Sequence, residues 1–272
     1  MKIKYKIFYA IDGRNVKNYK ILDKHFNKKK CLNELGRSMS RTEISNAEGH
    51  LRIYKYIIKR NILSAIIMED DCYPSKELCN WMKLDFFLRN KNYEIIQIYH
   101  SDGFAYKKPS EVISRQYFLH KTCSTLPYTT CYQITKKACE YITIRSKKIS
   151  RLADWPVNFY NTKISQFVVL PKLVSLHFNH INTSHNKKAW TNFTKMEKIK
   201  KFLPFYNFIT ALYFLLHIPF LSRKYKNYSY YKEKYLLPKI YFLKNLFLNS
   251  YINLKNISKD KNFYPSDLKN VQ

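Results

Sequence analysis

Residues 62–68 form a short run of apolar character that stops abruptly at three consecutive carboxylates, Glu69, Asp70 and Asp71. A run of this length reads as a strand covered on both faces, the pattern of a parallel sheet held between helices. Three adjacent carboxylates repel one another, and the arrangement is costly unless a cation compensates. In open α/β sheets, ligands bind at the carboxyl ends of strands. One segment therefore constrains both fold and chemistry: an α/β domain with an acidic cluster at the mouth of its sheet. A solvated acidic turn is the plain alternative.

The flanking sequence fits that frame. Residues 4–11 alternate and are rich in β-branched and aromatic types, which predicts a strand, and Asp12-Gly13 then predicts a turn. Residues 14–40 are polar and weakly patterned. Ser45 and Glu48 have the spacing of a helix-capping box. Ala47, Leu51, Tyr54, Ile57 and Ile58 follow on one helical face, with Asn61 placed to close the helix in a left-handed conformation. A second helix is expected from about Ser75 through Leu78, Trp81, Met82 and Phe86. Further strands are expected at 94–99, 128–134 and 167–170, with Thr135 capping a helix through Ala138, Tyr141 and Ile142. Strands alternating with helices predict a three-layer α/β sandwich with a mostly parallel central sheet.

The chain has 272 residues, 46% of them hydrophobic, enough for one sizeable core or for one domain with an appendage. Its 49 Lys+Arg stand against 19 Asp+Glu, a formal net charge of +30. Such a surface attracts nucleic acid, anionic lipid head groups or phosphorylated glycans, and charge alone does not choose among them. The six cysteines form no Cys-x-x-Cys pair and no zinc-finger spacing with histidine, and no apolar signal core follows the basic start. Both point to a reducing, cytoplasmic setting.

After about residue 190 the character changes, which predicts a domain at 1–190 and a basic, aromatic, helical region at 191–272. Residues 202–221 (FLPFYNFITALYFLLHIPFL) carry no formal charge and are long enough to cross a bilayer. Pro204, Asn207, His217 and Pro219 interrupt them. Lys195, Lys198, Lys200 and Lys201 precede the run, and Arg223, Lys224 and Lys226 follow it. From residue 195 onward, 15 Lys/Arg face 4 Asp/Glu. An interfacial helix fits at least as well as a true span, and a core helix stays open.

Several segments together resemble glycosyltransferase family 25, the lipooligosaccharide galactosyltransferases. Residues 40–56 (SRTEISNAEGHLRIYKY) are similar to the family's Gly-Glu-Ile-Gly-Cys segment and Ser-His pair. Residues 65–72 (AIIMEDDC) resemble its hydrophobic strand ending in Glu-Asp-Asp. Residues 8–13 (FYAIDG) resemble its Ala-x-Asp-Gly segment. Residues 130–138 (TCYQITKKA) resemble Gly-x-x-Tyr-x-Ile-Ser-x-x-Ala, and residues 153–157 (ADWPV) resemble Asp-x-Pro-hydrophobic. The five occur in order within residues 8–175. The departures are Thr42 for a glycine, Ser45-Asn46 for Gly-Cys and Gly49 for serine. The family's first strand, ahead of the Ala-x-Asp-Gly segment, is expected to be missing here.

The resemblance implies a GT-A-like fold, a UDP-sugar donor (commonly UDP-galactose) and inverting transfer to a lipooligosaccharide or LPS acceptor. It implies that Asp71 and Glu69 engage a divalent cation, Mn²⁺ or Mg²⁺, and that Glu43, Glu69 and Asp70 contact the donor. An inverting transfer needs a carboxylate to take the acceptor proton. Asp154 is the candidate, with Asp70 as the other. His50 matches the family histidine and ranks second, since a histidine early in a helix more often packs than catalyses. The plain reading of Asp154 is a helix N-cap before Pro156. The expected partners are the nucleotide-sugar, a lipid-linked glycan acceptor and an anionic membrane surface, with the chain peripheral to the cytoplasmic face of the inner membrane. A catalytically inactive relative that binds glycan or membrane is one alternative. A nucleic-acid-binding protein is a more remote one, because the basic residues form no recognition motif.

Overall fold

The computed structural model describes residues 5–35, 37–83, 93–101, 103–106, 108–113, 117–122, 125–157, 159, 164–176 and 251–254. Most of the 191–272 region, with the 202–221 run and its basic flanks, lies outside the described residues, as does Phe86. Among the described residues no helix is long and apolar enough to cross a membrane.

Two short helices, α1 (Tyr19–His25) and α2 (Lys28–Leu35), lead into the long α3 (Arg41–Lys59). Ser40 caps α3: its hydroxyl accepts the Glu43 amide at 3.2 Å, while the Glu43 carboxylate accepts the Ser40 amide at 2.8 Å. The capping box thus lies five residues ahead of the expected Ser45–Glu48 pair. Ser45 is buried inside the helix and donates its hydroxyl to the Ile11 carbonyl. Asn61 closes the helix as expected, with φ of 51°. Ile44, Ala47, Leu51, Tyr54 and Ile57 form its buried face, each large side chain contributing about 1.5–3 kcal/mol on burial.

The strands β1 (Ser64–Met68), β3 (Ile95–Gln97), β5 (Glu111–Val112), β6 (Phe118–Lys121), β7 (Cys131–Thr135) and β8 (Gln166–Leu170) make one sheet in the order β1-β7-β3-β8-β6-β5. Helix α4 (Lys76–Lys83) follows β1, and α5 (Lys136–Arg145), capped by the Thr135 hydroxyl, follows β7. The strands β2 (Cys72–Pro74) and β9 (Val174–Leu176) pair beside the sheet, and β4 (Phe104–Tyr106) pairs with β10 (Tyr251–Asn253).

Helices α3 and α5 cover one face of the sheet through Tyr54, Ile57, Ala138 and Ile142 against Ile67, Ile95, Tyr132 and Ile134. On the other face, Leu78 and Trp81 of α4 pack with Ile96, Cys131, Phe167 and Val169. The α/β class and its layering follow the sequence reading. The expected mostly parallel sheet does not. Only β3 and β8 pair in parallel; the other neighbours are antiparallel. The cause is β7, which enters between β1 and β3 against both. β1 is consequently an edge strand with only Ile67 fully buried, rather than a central strand covered on both faces.

Residues 5–11 do not form the expected strand. Phe8 packs edge-on against Tyr56 of α3 at 5.1 Å, while Tyr5 and Tyr9 are 83% and 80% exposed. The alternation marks one side laid on a helix, and a strand needs a neighbour for its backbone groups as well. The turn at Gly13 presses on the start of α3: a Cβ there would lie 2.9 Å from the Thr42 Cα and nearer still to the Arg41 carbonyl, a close approach that requires glycine.

Candidate functional site

Because β7 runs against both β1 and β3, and β3 runs with β8, three strands end at the same edge of the sheet. β1 delivers Glu69, Asp70 and Asp71 there. β3 delivers Tyr99 and His100, and β8 delivers Lys172. The start of β7 brings Tyr128, Thr129 and Thr130 between them. The expectation that the acidic cluster sits at strand carboxyl ends therefore holds, although the sheet is mixed.

Glu69 is tied into this edge. Its amide donates to the Thr130 carbonyl at 2.8 Å, and its Oε1 accepts the Thr129 hydroxyl at 3.1 Å. The same oxygen lies 3.2 Å from Nε2 of His50. The other ring nitrogen of His50, Nδ1, lies 2.8 Å from the Tyr132 hydroxyl, which in turn meets the Tyr54 hydroxyl at 2.6 Å. A continuous polar chain thus runs from the acidic turn into the core between α3 and β7. Burial pushes the Tyr54 and Tyr132 phenols far up, so both stay protonated. His50 is buried and lies against Glu69.

Asp70 is exposed and Asp71 half-buried. Burial, joined by the charges of Asp71, Glu69 and Asp70, raises the neighbouring Cys72 thiol to about 12, so it remains a thiol that donates to the Thr130 carbonyl at 2.9 Å. Tyr99 is likewise raised to about 12, first by burial and with contributions from Tyr128 and Asp71. The Tyr99 amide donates to the Cys131 carbonyl at 3.0 Å, which fixes it at the β3 exit beside the start of β7.

Asp154 sits half-buried in a turn, and the described residues that follow it, 155–157, are not helical, so the helix-capping reading has no support. It precedes Trp155, whose φ of 132° is a conformation that residues other than glycine rarely adopt. The indole holds that conformation: its Nε1–H donates to the Leu126 carbonyl at 2.7 Å, and its ring meets Tyr132 edge-on at 5.0 Å. Tyr128, at φ 77°, is a second such residue. Strained backbone of this kind clusters at functional sites. Asp154 is thus joined to the acidic turn through Trp155, Tyr132, His50 and Glu69.

Glu43 lies elsewhere. It is two helical turns before His50, about 10 Å along the axis. Arg37 grips its carboxylate with two hydrogen bonds of 2.9 and 2.6 Å. Burial alone would raise this carboxyl, but the Arg37 and Ser40 hydrogen bonds outweigh it and hold it below the usual range.

Among the described residues no group of three or more His, Cys, Asp or Glu side chains is gathered for a metal ion. A Mg²⁺ shared with a diphosphate asks less, one or two carboxylates plus phosphate oxygens. Adjacent Asp70, exposed, and Asp71, half-buried, are enough for that smaller demand. Glu69, with Oε1 already held by His50 and Thr129, reads as their support.

Sequence reasoning missed the Thr129–Glu69–His50–Tyr132–Tyr54 chain, and with it His100 and Lys172. The rule that ligands gather at strand carboxyl ends would have pointed to the last two, since each follows a strand the sequence predicts.

A layered α/β domain whose carboxylates converge at the strand ends is, in coarse terms, a glycosyltransferase architecture. The chain belongs to glycosyltransferase family 25 (LPS biosynthesis protein), whose family model matches residues 1–160. Among curated proteins none matches it. Glu43, His50, Glu69, Asp70, Asp71 and Asp154 all fall within the matched span, and Lys172 falls beyond it.

Proposed function

We propose that the chain transfers a hexose, galactose in the first instance, from a UDP-sugar to a lipooligosaccharide or LPS acceptor with inversion, on a GT-A-like domain. The observation that carries this reading is the acidic turn at the shared edge of β1, β3 and β8 in a member of family 25. The acceptor hydroxyl oxygen attacks C1 of the sugar, the bond from C1 to the diphosphate oxygen breaks, and UDP leaves. Asp154 takes the acceptor proton, with Asp70 as the alternative base. A Mn²⁺ or Mg²⁺ ion held by Asp71 and Asp70 together with the donor would offset the charge on the departing diphosphate. Glu69 and His50 hold the turn in place for this.

The same reading seats the chain on the cytoplasmic face of the inner membrane, where lipid-linked glycans are built. Residues 202–221 offer apolar area, and each flanking Lys or Arg contributes about 1 kcal/mol at an anionic surface. Washing membranes with salt and then carbonate tests the attachment. Release by salt is expected, and a wholly soluble chain at low salt overturns it.

The central experiment is calorimetric titration of UDP with Mn²⁺ into the wild type and Asp71→Asn, beside a donor screen that measures nucleotide release. Asp71→Asn is expected to lose metal-dependent UDP binding and transfer with its melting temperature unchanged. Equal affinity in the two proteins overturns the metal assignment.

A further inference from the structure

The β3 and β8 exits carry two polar groups that the reaction above does not use. His100 is 1% exposed, and neither of its ring nitrogens has a hydrogen-bond partner. A buried imidazole left this way loses its hydration with nothing in exchange, roughly 1–3 kcal/mol per unsatisfied group. Native proteins keep few such groups, and each calls for an explanation such as an absent ion. Burial, and secondly the charge of Lys172, lowers His100 to about 3, so the ring is neutral and one nitrogen carries a hydrogen to donate.

Lys172 is half-buried and takes part in no ion pair among the described residues. Burial lowers its ammonium from the usual value, and no carboxylate acts against that shift. The ammonium lies 5.7 Å from the centre of the Tyr99 ring, and the Tyr99 amide donates to the Cys131 carbonyl, next in the chain to the Thr130 carbonyl that accepts the Glu69 amide. A half-buried cation and an unpartnered imidazole therefore lie at the β3 and β8 exits, across the start of β7 from the acidic turn. Among the described residues, other partly buried cations have carboxylates: Arg37 has Glu43 and Arg151 has Glu34. Lys172 departs from that pattern at the one edge where a ligand is expected.

We propose that Lys172 and His100 form a diphosphate-binding wall beside Asp70 and Asp71, with the ammonium taking phosphate oxygens and the imidazole N–H donating behind it. That the diphosphate belongs to a nucleotide-sugar rests on the function proposed above; that Lys172 and His100 take an anion of this kind does not. Charge-assisted hydrogen bonds to phosphate are about twice as strong as neutral ones, so a fixed ammonium is an effective ligand. Because His100 is buried, the anion meets Lys172 first, and the flexible four-carbon stem of Lys172 moves to admit it to the imidazole. This places a protein cation on the leaving group, which reduces how much of the charge a metal must offset.

The test is calorimetric binding of inorganic diphosphate, UDP and uridine, in EDTA, to the wild type, Lys172→Met, Lys172→Arg and His100→Phe. Lys172→Met is expected to weaken diphosphate and UDP by about tenfold or more and to leave uridine unchanged, with Lys172→Arg staying within about threefold of wild type. His100→Phe is expected to weaken diphosphate by a smaller factor. The chain has 49 Lys+Arg, so removing one barely alters the general field, and a tenfold loss is local. Thermal melting guards against misfolding: Lys172→Met is expected to melt at or above the wild-type temperature, since it removes a desolvated charge. Equal diphosphate affinity in Lys172→Met, or no diphosphate binding by the wild type, overturns the proposal. Diphosphate bound through Lys172 while UDP binds no better than uridine upholds the wall and overturns the UDP-sugar reading.

Discussion

At β1 and β7, the polar groups of the sheet's carboxyl edge close on one another: Thr129 and His50 meet Glu69, Tyr132 meets His50, and Tyr54 meets Tyr132. At β3 and β8, among the described residues, the same edge leaves both nitrogens of His100 unpartnered and Lys172 without a carboxylate. The first half has the economy of a scaffold, in which every bond fixes the position of a turn. The second half accepts a cost in the folded state that a bound ligand would offset. Natural sequences depart from local consistency where function demands it, so the contrast separates residues that hold the site from those that use it.

The largest expected effect tests the side of the contrast that performs chemistry. Asp154→Asn is expected to lose turnover by on the order of 10²-fold, a typical general-base contribution, with donor affinity and melting temperature little changed. Steady-state transfer assays with UDP-galactose, paired with thermal melting, check it. A variant that keeps turnover yet melts early moves Asp154 to the scaffold side.

Tyr132→Phe reverses the pattern. It removes the hydroxyl that both His50 and Tyr54 contact in a buried setting, at a cost of about 2 kcal/mol of stability in urea denaturation. Adding Tyr54→Phe to it is expected to cost less than the two changes summed, because the Tyr54 hydroxyl has by then lost its partner. Strict additivity would show that the polar chain is not one unit.

The smallest effect lies furthest from the edge. Glu43→Gln is expected to cost about 1 kcal/mol at neutral pH through the capping box and Arg37. Because the folded carboxyl titrates below its ordinary value of 4.5, the wild type's advantage is whole above that pH and fades as pH falls through the lowered folded value. Urea midpoints of both proteins from pH 6 to pH 3 should converge at the acid end. A gap that persists there would mean the loss is one of packing.

Local features were legible in the sequence and pairings were not. Asn61, Thr135 and the strand before Glu69 were readable because each depends on its neighbours in the chain. The position of the capping box was ambiguous, since residues 40–43 and 45–48 both carry Ser-x-x-Glu. The contact that settles it, Ser45 on the Ile11 carbonyl, is between distant segments. The sheet was misread because an apolar run fixes neither the direction of its neighbour nor its place in the sheet; β7 lies antiparallel to β1 and leaves it at the edge, although the two are far apart in sequence. α1 and α2 were invisible because each buries so little, Leu22 in one and Cys31 and Leu35 in the other, among lysines. Of the site, the carboxylates stood out as a run in the sequence. His100 and Lys172 could be placed at strand ends from the sequence, but that each is without a partner among the described residues is visible only in three dimensions.

The pairing of β10 with β4 has a consequence for how the molecule is made. Tyr251 aligns with Tyr106, and the Leu254 amide donates to the Gly103 carbonyl, three residues beyond His100. No other pairing joins segments so far apart among the described residues. Contacts of such long sequence separation form slowly, because the intervening chain must be closed before they gain anything. On the ribosome, synthesis proceeds at about 5–20 residues per second, and domains begin to fold as they emerge. The sheet and α3 are therefore expected to assemble while β4 still waits for its partner. The region next to His100 would reach its native form last, and a chaperone that shields unpaired strand edges would find its target there.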